Sequence, residues 1–567
     1  MAISLMLVLL ALLIWILPKL EASTGSDDSY KTKVFNQKKV STIDIQVEEE
    51  SLQKILESPL EKEVVPATVF FNGEKIQDVG LRTKGNMTLR SVAQMEDSDR
   101  YSFKVDFDYY KDGQNLFGLK KLALNNNYSD STFSKEFVSY KLMEEMGVPT
   151  PANSYMYVTI NGKEWGLYLG VEAIDETFLS NHFTNASGDL YKPDGTGSDL
   201  KWISNDVEAY TGLGLKTNEE TSTQSSMMKF LDVINHGGDL EEVINVDEML
   251  RYFAANTALV NLDHYQGNMK HNYYLYEQNG KFSILPWDYN MSFGGFSGGG
   301  PGGRGPGGNG DRQPGDEGMQ KDNENGDRGF GGFDMAGGMG NMMSESNINF
   351  SIAEPVSGTT LEERPLLNAL LKNEKYRDKY NGYLEQIAKE FFDEENMQTI
   401  MTSISATILP YVEQDPMKFT TTEQFLEGVS GDNSLVEFAK QRSDSIVKQL
   451  SGELVVEADT SNMPDGFANI EGNNGEMNNR PGPAAADGER PERPDGLQEG
   501  ERPEPPDGMG QPGEGGPPEM RNQGFGNGEV TAGDEGISQS SLIGSILCLG
   551  FLILAILFVK RFQRRRV

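Results

Sequence analysis

Asp263, Asn268, Asn272 and Asp288 are four candidate oxygen ligands in one stretch of the chain. This stretch, residues 261–293, reads NLDHYQGNMKHNYYLYEQNGKFSILPWDYNMSF. Asp263 is followed by Asn268, and Asp288 comes after a strand-like run that ends in Pro-Trp. In phosphoryl transfer, one carboxylate accepts the proton of the attacking hydroxyl, while an amide and a second carboxylate hold metal ions on the phosphates. Asp263, Asn268 and Asp288 have the residue types and the order that these roles require. Asn272 is an alternative to Asn268 as a metal ligand.

Phosphate groups also need cations, and the sequence offers three upstream of this stretch. Lys104 lies in the alternating run SFKVDF, which predicts a strand, and Glu136 lies on the next predicted helix. A strand lysine held by a helix glutamate is suited to contact the phosphates of a nucleotide, so we expect Lys104 and Glu136 to pair. Arg82 and Lys84 stand beside a Gly-Asn loop and are further candidates for phosphate contacts.

Each of these residues has a structural alternative. Asp263 could cap the end of a helix, and Asn268 could be a turn residue beside Gly267. An Asp followed by an Asn at this spacing is a weak motif when it stands alone. Lys104 and Glu136 could equally be solvated charges, so the order of the elements around them has to support the assignment.

The elements that must position these residues can be read from periodicity and turn signals. Three predicted hairpins turn at Asn-Gly pairs, at residues 72–73, 161–162 and 279–280. Residues 101–107 and 122–124 predict further strands. Helices are predicted in the segments 130–146, 175–183, 225–235 and 246–261, and a mainly helical region in 361–450.

The composition limits the kinds of partner and metal site that this chain can have. The chain has 567 residues, 63 Gly and 25 Pro, and a net charge of −36. Nucleic acid is not an expected partner, because neutralising phosphates needs an excess of Lys and Arg. The single cysteine, Cys548, excludes an intramolecular disulfide and a cysteine-based zinc site.

Both ends are apolar and two segments are of low complexity. Residues 1–22 predict a signal peptide or signal anchor. Residues 542–559 predict a transmembrane helix, and the basic tail 560–567 places the C-terminus in the cytoplasm by the positive-inside rule. The expected localisation is the cell membrane, with the main domain outside the cytoplasm. Two segments, the Gly-rich 294–345 and the Pro-, Gly- and acid-rich 460–538, predict disorder.

Several of these motifs together resemble the CotH (spore coat protein H) family of atypical protein kinases. The resemblance rests on GLRTKGN, SFKVDF, SKEFVSYKLMEEMGVP and NGKEWGLYLGVEAID, and further on NLDHYQGNMKHNYYLY, LPWDYNMSFG and RPLLNALLKNEKYRDKY. It covers roughly the segment 41–452, with the Gly-rich segment as an interruption, and we place a kinase-like domain at 41–455.

The resemblance implies an α+β, divergent bilobal protein-kinase-like fold with an antiparallel-sheet N-lobe and a mainly helical C-lobe. It implies binding of ATP with Mg²⁺ or Mn²⁺ and phosphorylation of Ser or Thr in a protein substrate. By this resemblance Asp263 is the catalytic aspartate, Asp288 binds metal, and Asn268 is the second ligand ahead of Asn272. The chain departs from a typical kinase because it has no G-x-G-x-x-G loop, and because the Gly-rich insert follows Asp288 directly.

Two other interpretations stay open from the sequence. The first is a non-catalytic surface scaffold or pseudokinase on the same fold, which would show no transfer of phosphate. The second is a metal-dependent hydrolase that uses Asp263 and Asp288, which would turn over substrate without ATP.

Overall fold

The strands of the N-terminal part close into a seven-stranded barrel. The computed structural model describes residues 29–128, 130–295 and 342–457. The barrel strands are β1 Ser41–Val47, β2 Val65–Phe71, β3 Glu74–Lys84, β4 Ser102–Asp106, β5 Lys121–Asn125, β6 Asn153–Ile160 and β7 Lys163–Glu172. They pair in the order β1-β2-β3-β4-β5-β7-β6.

The barrel closes through one parallel pair. β1 runs antiparallel to β2 on one edge and parallel to β6 on the other, with Ile43 opposite Val158. The prediction of a bilobal kinase-like fold with an antiparallel-sheet N-lobe is therefore wrong. An alternating pattern such as that of β1 identifies a strand, but it does not identify the partner on either edge, and a parallel partner is distant in sequence.

A second sheet and a helical region complete the described structure. The sheet has the order β11-β10-β8-β9, with β8 Leu190–Pro193, β9 Leu213–Leu215, β10 Tyr273–Gln278 and β11 Lys281–Pro286. The helices of the N-terminal half are α1 Ser29–Lys33, α2 Glu49–Glu57, α3 Met87–Ala93, α4 Lys135–Glu145, α5 Glu176–His182, α6 Ser225–His236 and α7 Val246–Leu259. Those of the C-terminal part are α8 Glu345–Ile348, α9 Pro365–Lys372, α10 Glu374–Gln386, α11 Glu394–Gln414, α12 Thr422–Ser430 and α13 Leu435–Ser451.

Two hydrophobic cores use opposite faces of the same strands. Phe103 and Val105 of β4 point into the barrel with Leu122 and Leu124 of β5. Ala123, between the latter two, packs outward in the second core, which holds the helices and the second sheet. Side chains alternate between the faces of a strand, so β3, β4 and β5 also present outward the polar residues that lie between their core residues. This outer face carries the candidate site.

Some elements were not predicted. The segment ahead of β1 contains α1, whose Tyr30 is fully buried with the barrel core. The stretch before Arg100 contains α3, and the short strands β8 and β9 were also missed. These elements are too short for a clear periodicity, so tertiary packing decides them.

The terminal predictions fall outside the described residues. These are the segments 1–22, 460–538, 542–559 and 560–567, together with 296–341 of the Gly-rich insert. Within the described part of the chain, no helix combines the length and the apolar character that crossing a membrane requires. The predicted C-terminal anchor, 542–559, lies outside these residues, so the structure gives no support to the anchor or to the predicted membrane localisation, and neither is carried forward.

Candidate functional site

A polar cleft opens on the outer face of the barrel, where the ends of β3, β4 and β5 meet the chain that leaves β11. It brings together three residues that the sequence singled out, Lys84, Glu136 and Asp288. The rest of the lining is polar or small and comprises Gly85, Thr88, Ser102, Asn125, Asn126, Asn127 and Asn290. Lys84, Gly85 and Thr88, where β3 leads into α3, form one wall.

Lys84 is the central cation of this cleft. Its Nζ donates a hydrogen bond to Asn125 Oδ1 at 2.6 Å and lies 3.9 Å from Asp288 Oδ2. The ammonium group also lies 5.2 Å from the centre of the Trp287 ring. The Lys84 side chain is only 15% exposed, so its charge acts with little screening by solvent.

Glu136 lies behind Lys84 and is linked to Asp288 by Tyr140. Asn125 donates to Glu136 Oε2 at 2.7 Å, and Tyr140 donates to Glu136 Oε1 at 3.0 Å. The Tyr140 hydroxyl in turn accepts a hydrogen bond from the Asp288 backbone N–H at 3.1 Å. Burial raises the pKa of Glu136 to about 7, and the nearby Asp288 carboxylate adds to the rise, while Lys84 opposes it. Two carboxyl groups therefore compete for one lysine, and an added cation would relieve their repulsion.

The sequence predicted that Lys104 pairs with Glu136, but the lysine that lines the cleft with Glu136 is Lys84. Lys104 lies opposite Arg82 in the β3–β4 ladder, whereas Lys84 at the end of β3 lies opposite Ser102. Lys84, Arg82 and Lys104 thus share the outer face, but it is Lys84 that reaches Asn125 and acts on Glu136. Arg82 and Lys104 do not line the cleft itself.

Asp288 is held by an unusual backbone conformation. Its φ is 60°, in the left-handed region that few residues other than glycine adopt, although Asp tolerates it better than most. Trp287 before it packs edge-on against Tyr274, with ring centres 5.9 Å apart. The left-handed turn directs the chain away from β11, and the side chain of Asp288 lies in the cleft.

Asp263 lies in the loop after α7 and is nearly buried, with 6% of its surface exposed. Its Oδ1 is 2.7 Å from His271 Nε2, and its Oδ2 accepts a hydrogen bond from Asn272 Nδ2 at 3.0 Å. The same Asn272 amide also donates to the backbone carbonyl of Asp263. None of these contacts caps the end of a helix, which was the structural alternative for Asp263.

The structure separates the two candidate amide ligands. Asn272 donates from its Nδ2 to Asp263, which leaves its Oδ1 to act as an oxygen ligand for a metal ion. Asn268 lies against Gly358, where a Cβ atom would clash with its amide nitrogen. Asn272 is therefore better placed than Asn268 to act together with Asp263.

His264 connects the Asp263 loop to the Asp288 segment. Its ring is fully buried, hydrogen-bonds with Tyr252, and packs against the rings of Tyr273 and Tyr289. Burial, together with the positive charge that His271 can carry, lowers the pKa of His264 to about 3, so this ring stays neutral. One histidine thus packs between Tyr273, which follows Asn272, and Tyr289, which follows Asp288.

Several contributors to the site were not predicted from the sequence, namely Asn125, Tyr140, His264 and His271. Tyr140 could have been found, because it lies one helical turn after Glu136 and shares its face. Asn125 directly follows the predicted strand 122–124, but nothing local shows that this strand lies two places from β3. His264 follows Asp263 directly, and His271 precedes Asn272 directly. A histidine next to a candidate base could have indicated that it takes part in the site.

The donor set fits a divalent cation that is shared with phosphate oxygens. In the described ranges there is no group of three or more His, Cys, Asp or Glu residues that could hold a metal. Magnesium is commonly held by one or two carboxylates, with phosphates and water completing its shell. Asp288 offers one carboxylate in the cleft, and its charge adds to the rise in the pKa of the neighbouring Glu136, which an added cation would oppose.

Together these features define a class of protein, a closed barrel fused to a helical region, with a lysine and two carboxyl groups in a cleft on the barrel. A buried Asp–Asn pair lies in the segment between α7 and β10 and does not line that cleft. A family model described as "CotH kinase protein" matches residues 81–446, more than half of the chain. The chain belongs to this family, as the sequence motifs predicted.

Two relatives come from Bacillus subtilis (strain 168). Inner spore coat protein H is 24% identical over 270 residues, which are 46% of this chain and 70% of that protein. Inner spore coat protein H-like protein is 28% identical over 109 residues, which are 18% of this chain and 34% of that protein. The matched part of the present chain thus spans only about a third of the second relative.

Proposed function

We propose that this protein is a metal-dependent phosphotransferase that moves the γ-phosphate of ATP to a Ser or Thr hydroxyl of a protein substrate. The observation that carries the proposal is the Lys84 cleft, in which one buried ammonium group faces Asp288 and Glu136. The name of the family, CotH kinase protein, supports the same activity.

Lys84 would neutralise phosphate oxygens, and Asn125 with Glu136 would hold its ammonium group in place. Binding in a cleft with little solvent makes such a charge contact stronger than it would be in water. The Lys84–Thr88 turn, whose Gly85 has a φ of 112°, would cover the phosphates from one side. This replaces the glycine-rich loop that the sequence lacks.

Asp263 would orient the acceptor hydroxyl and take its proton. The hydroxyl oxygen forms a bond to the γ-phosphorus while the bond between that phosphorus and the β–γ bridging oxygen breaks, and ADP leaves. His271 and Asn272 fix both carboxylate oxygens of Asp263, which prevents it from turning away. When bound, Mg²⁺ or Mn²⁺ would neutralise charge on the β- and γ-phosphates, with Asp288 and Asn272 as its protein ligands.

Transfer from γ-labelled ATP tests the proposal. The full chain is incubated with Mn²⁺ or Mg²⁺ and a Ser-rich acceptor protein, beside Asp263→Asn and Asp288→Ala. Asp247→Asn is the control, because this surface carboxylate pairs with Lys379 far from the cleft. We expect label on the acceptor with the wild type and the control only. Transfer that survives Asp288→Ala, in a folded protein, would refute the assignment, and substrate turnover without ATP would favour a hydrolase.

A second candidate is a non-catalytic scaffold on the same fold. It is favoured by the name of one relative, inner spore coat protein H. A thermal shift with ATP and Mn²⁺ separates the two functions at the level of binding. A scaffold without a nucleotide site gives no shift with any nucleotide or metal, whereas the phosphotransferase gives a shift that Lys84→Met removes.

A further inference from the structure

Four Asn-Gly pairs lie in the described ranges, at 72–73, 161–162, 279–280 and 381–382. An asparagine that precedes glycine can lose its side-chain amide, because the backbone nitrogen of the glycine can attack the Cγ atom of the asparagine. Glycine has no Cβ to obstruct this approach, and the attack requires an asparagine side chain that is free to rotate. The four pairs share one sequence, so their surroundings decide which of them reacts.

Hydrogen bonds hold the asparagine side chain in two of these pairs. Asn72 Oδ1 accepts a hydrogen bond from the Thr42 backbone N–H at 2.9 Å, and Asn72 Nδ2 donates to Ser41 Oγ at 3.2 Å. Asn161 Oδ1 accepts from the Val47 backbone N–H, and Asn161 Nδ2 donates to the Val47 carbonyl, both at 2.9 Å. Each amide group is therefore held against one end of β1 and must leave it before the reaction can start.

The pair at 381–382 is protected by its helix. It lies inside α10, Glu374–Gln386. In a helix interior the backbone N–H of each residue is bonded to the carbonyl four residues earlier, so the glycine nitrogen cannot turn towards the preceding side chain unless the helix unwinds. We therefore expect no reaction at this pair.

Asn279 has neither kind of restraint. It lies at the exposed tip of the β10–β11 hairpin, and no hydrogen bond holds its side-chain amide among the residues that the structure describes. Its φ of 56° and the φ of 82° at Gly280 are close to the values at 72–73 and 161–162. The backbone turns are thus similar, and the difference between the three hairpins lies in the contacts of the asparagine side chain.

The nitrogen that must attack Asn279 is in contact with a base. The Gly280 backbone N–H donates a hydrogen bond to Glu277 Oε1. A cyclic imide forms only after this nitrogen has given up its proton, and a carboxylate that already accepts the hydrogen bond can take that proton. Within the described ranges, neither Gly73 nor Gly162 donates its backbone N–H to a side chain.

We propose that Asn279 is a site of spontaneous deamidation, with Glu277 as the base. Glu277 takes the proton from the Gly280 nitrogen, this nitrogen forms a bond to Asn279 Cγ, and the bond between Cγ and Nδ2 breaks. The amide group leaves as ammonia and carries the proton away. Water then opens the cyclic imide at one of its two carbonyl carbons and leaves aspartate or isoaspartate, with no change of oxidation state. The proposal does not depend on phosphoryl transfer.

The modification alters the hairpin that leads to Asp288. Either product adds a negative charge beside Glu277, and isoaspartate also lengthens the backbone of a turn in which Gln278 lies opposite Lys281. The second strand of this hairpin, β11, ends at Pro286, just before the segment that carries Asp288. An old molecule therefore differs from a new one in the strand that supports this carboxylate.

Peptide mass spectrometry of the full chain, after storage for days in mildly alkaline buffer made with heavy-oxygen water, tests the site. The heavy oxygen labels each molecule that has passed through the imide. We expect conversion at 279–280 to be at least about tenfold faster than at 72–73 and 161–162, since two hydrogen bonds must first break at each of these turns. Equal rates at the three turns, or no conversion at Asn279, would overturn the proposal.

Two variants test the base. Glu277→Gln should slow conversion of Asn279 about tenfold or more. It should leave the rates at 72–73 and 161–162 unchanged, which also shows that the fold is intact. Glu74→Gln is the matched control, because Glu74 is an exposed glutamate at the turn of the first hairpin, and it should change none of the rates. An unchanged rate at Asn279 in Glu277→Gln would refute Glu277 as the base.

Discussion

At the scale of single residues, the site depends on which lysine lies in the cleft with Glu136. The sequence singled out Lys84, Glu136 and Asp288, and the structure places these three in one cleft. The sequence predicted Lys104 as the lysine beside Glu136, whereas Lys84 is the lysine that lines the cleft; the two lysines lie on adjacent strands and share a face. Only the register of β3 against β4 determines which one lies at the cleft end.

Lys84→Met should weaken binding of ATP with Mn²⁺ by about 10- to 100-fold, since a hydrogen-bonded charge contact contributes roughly 1.5–3 kcal/mol. Calorimetric titration measures this change. Lys141→Met is the matched control, because Lys141 lies on the same helix as Glu136 but pairs with Glu145 on its exposed side. Equal affinities of the wild type and Lys84→Met would show that the cleft does not hold the phosphates.

The two asparagines after Asp263 should differ in their effect on metal dependence. Asn272→Ala removes an oxygen donor and releases Asp263, so the Mn²⁺ concentration for half-maximal transfer should rise at least tenfold and the maximal rate should fall. Asn268→Ala should change the metal requirement little, because Asn268 packs against Gly358. A larger effect of Asn268→Ala on the metal requirement would restore the ligand order that the sequence suggested.

At the scale of elements, a buried ion pair joins the barrel to the helical region. Arg100, ahead of β4, donates to both oxygens of Asp415, at 2.8 and 2.7 Å, and Asp415 also accepts from the Leu167 backbone. Arg100 Nε donates to the Asn126 carbonyl, and Asn126 lines the cleft. The segment after α11 is therefore connected to the floor of the site.

Asp415→Asn should destabilise the protein by about 3–5 kcal/mol, because it leaves the fully buried Arg100 without a countercharge. Denaturant unfolding measures the change. Glu385→Gln, which breaks the exposed pair with Lys389, should cost less than about 1 kcal/mol. Comparable losses for the two variants would mean that Arg100 and Asp415 do not join the two regions as described.

The contact between α1 and the barrel should make stability depend on pH. Tyr30 donates a hydrogen bond to Glu172, whose pKa burial raises to about 7. A raised pKa in the folded state favours folding while the group is protonated. Its contribution is full below the unfolded pKa near 4.5 and is lost as pH rises through 7. Glu172→Gln should remove this loss.

Urea unfolding at pH 5 and pH 8 measures that dependence. The wild type should lose on the order of 3 kcal/mol relative to Glu172→Gln between the two values. Other buried carboxyl groups titrate in both proteins alike, so the difference isolates Glu172. Parallel pH profiles for the two proteins would contradict the assignment.

At the scale of the whole molecule, the local parts of the fold were predictable and its closure was not. The three Asn-Gly turns adopt positive φ at both residues, for example 48° at Asn72 and 90° at Gly73, as a tight hairpin turn demands. These hairpins were read correctly because the turn signal is local. The parallel pairing of β1 with β6 joins residues that are more than a hundred positions apart, and no local pattern marks it.

Barrel closure gives β1 a large share of the stability. Ile45 is fully buried in the barrel core, so Ile45→Ala should cost about 2–5 kcal/mol. The neighbouring Gln46 points outward, and Gln46→Ala should change stability by no more than about 0.5 kcal/mol. Thermal unfolding of both variants measures the contrast, and a small effect of Ile45→Ala would indicate that β1 is not an integral barrel strand.

The location of the nucleotide site can be tested by hydrogen–deuterium exchange of the full chain, with and without Mn²⁺ and a non-hydrolysable ATP analogue. We expect slower exchange in residues 84–88 and 286–290, which form two walls of the cleft. Exposed helices such as α12 should be unaffected. Protection confined to other parts of the molecule, or none at saturating nucleotide, would contradict the assignment of this cleft as the site of phosphoryl transfer.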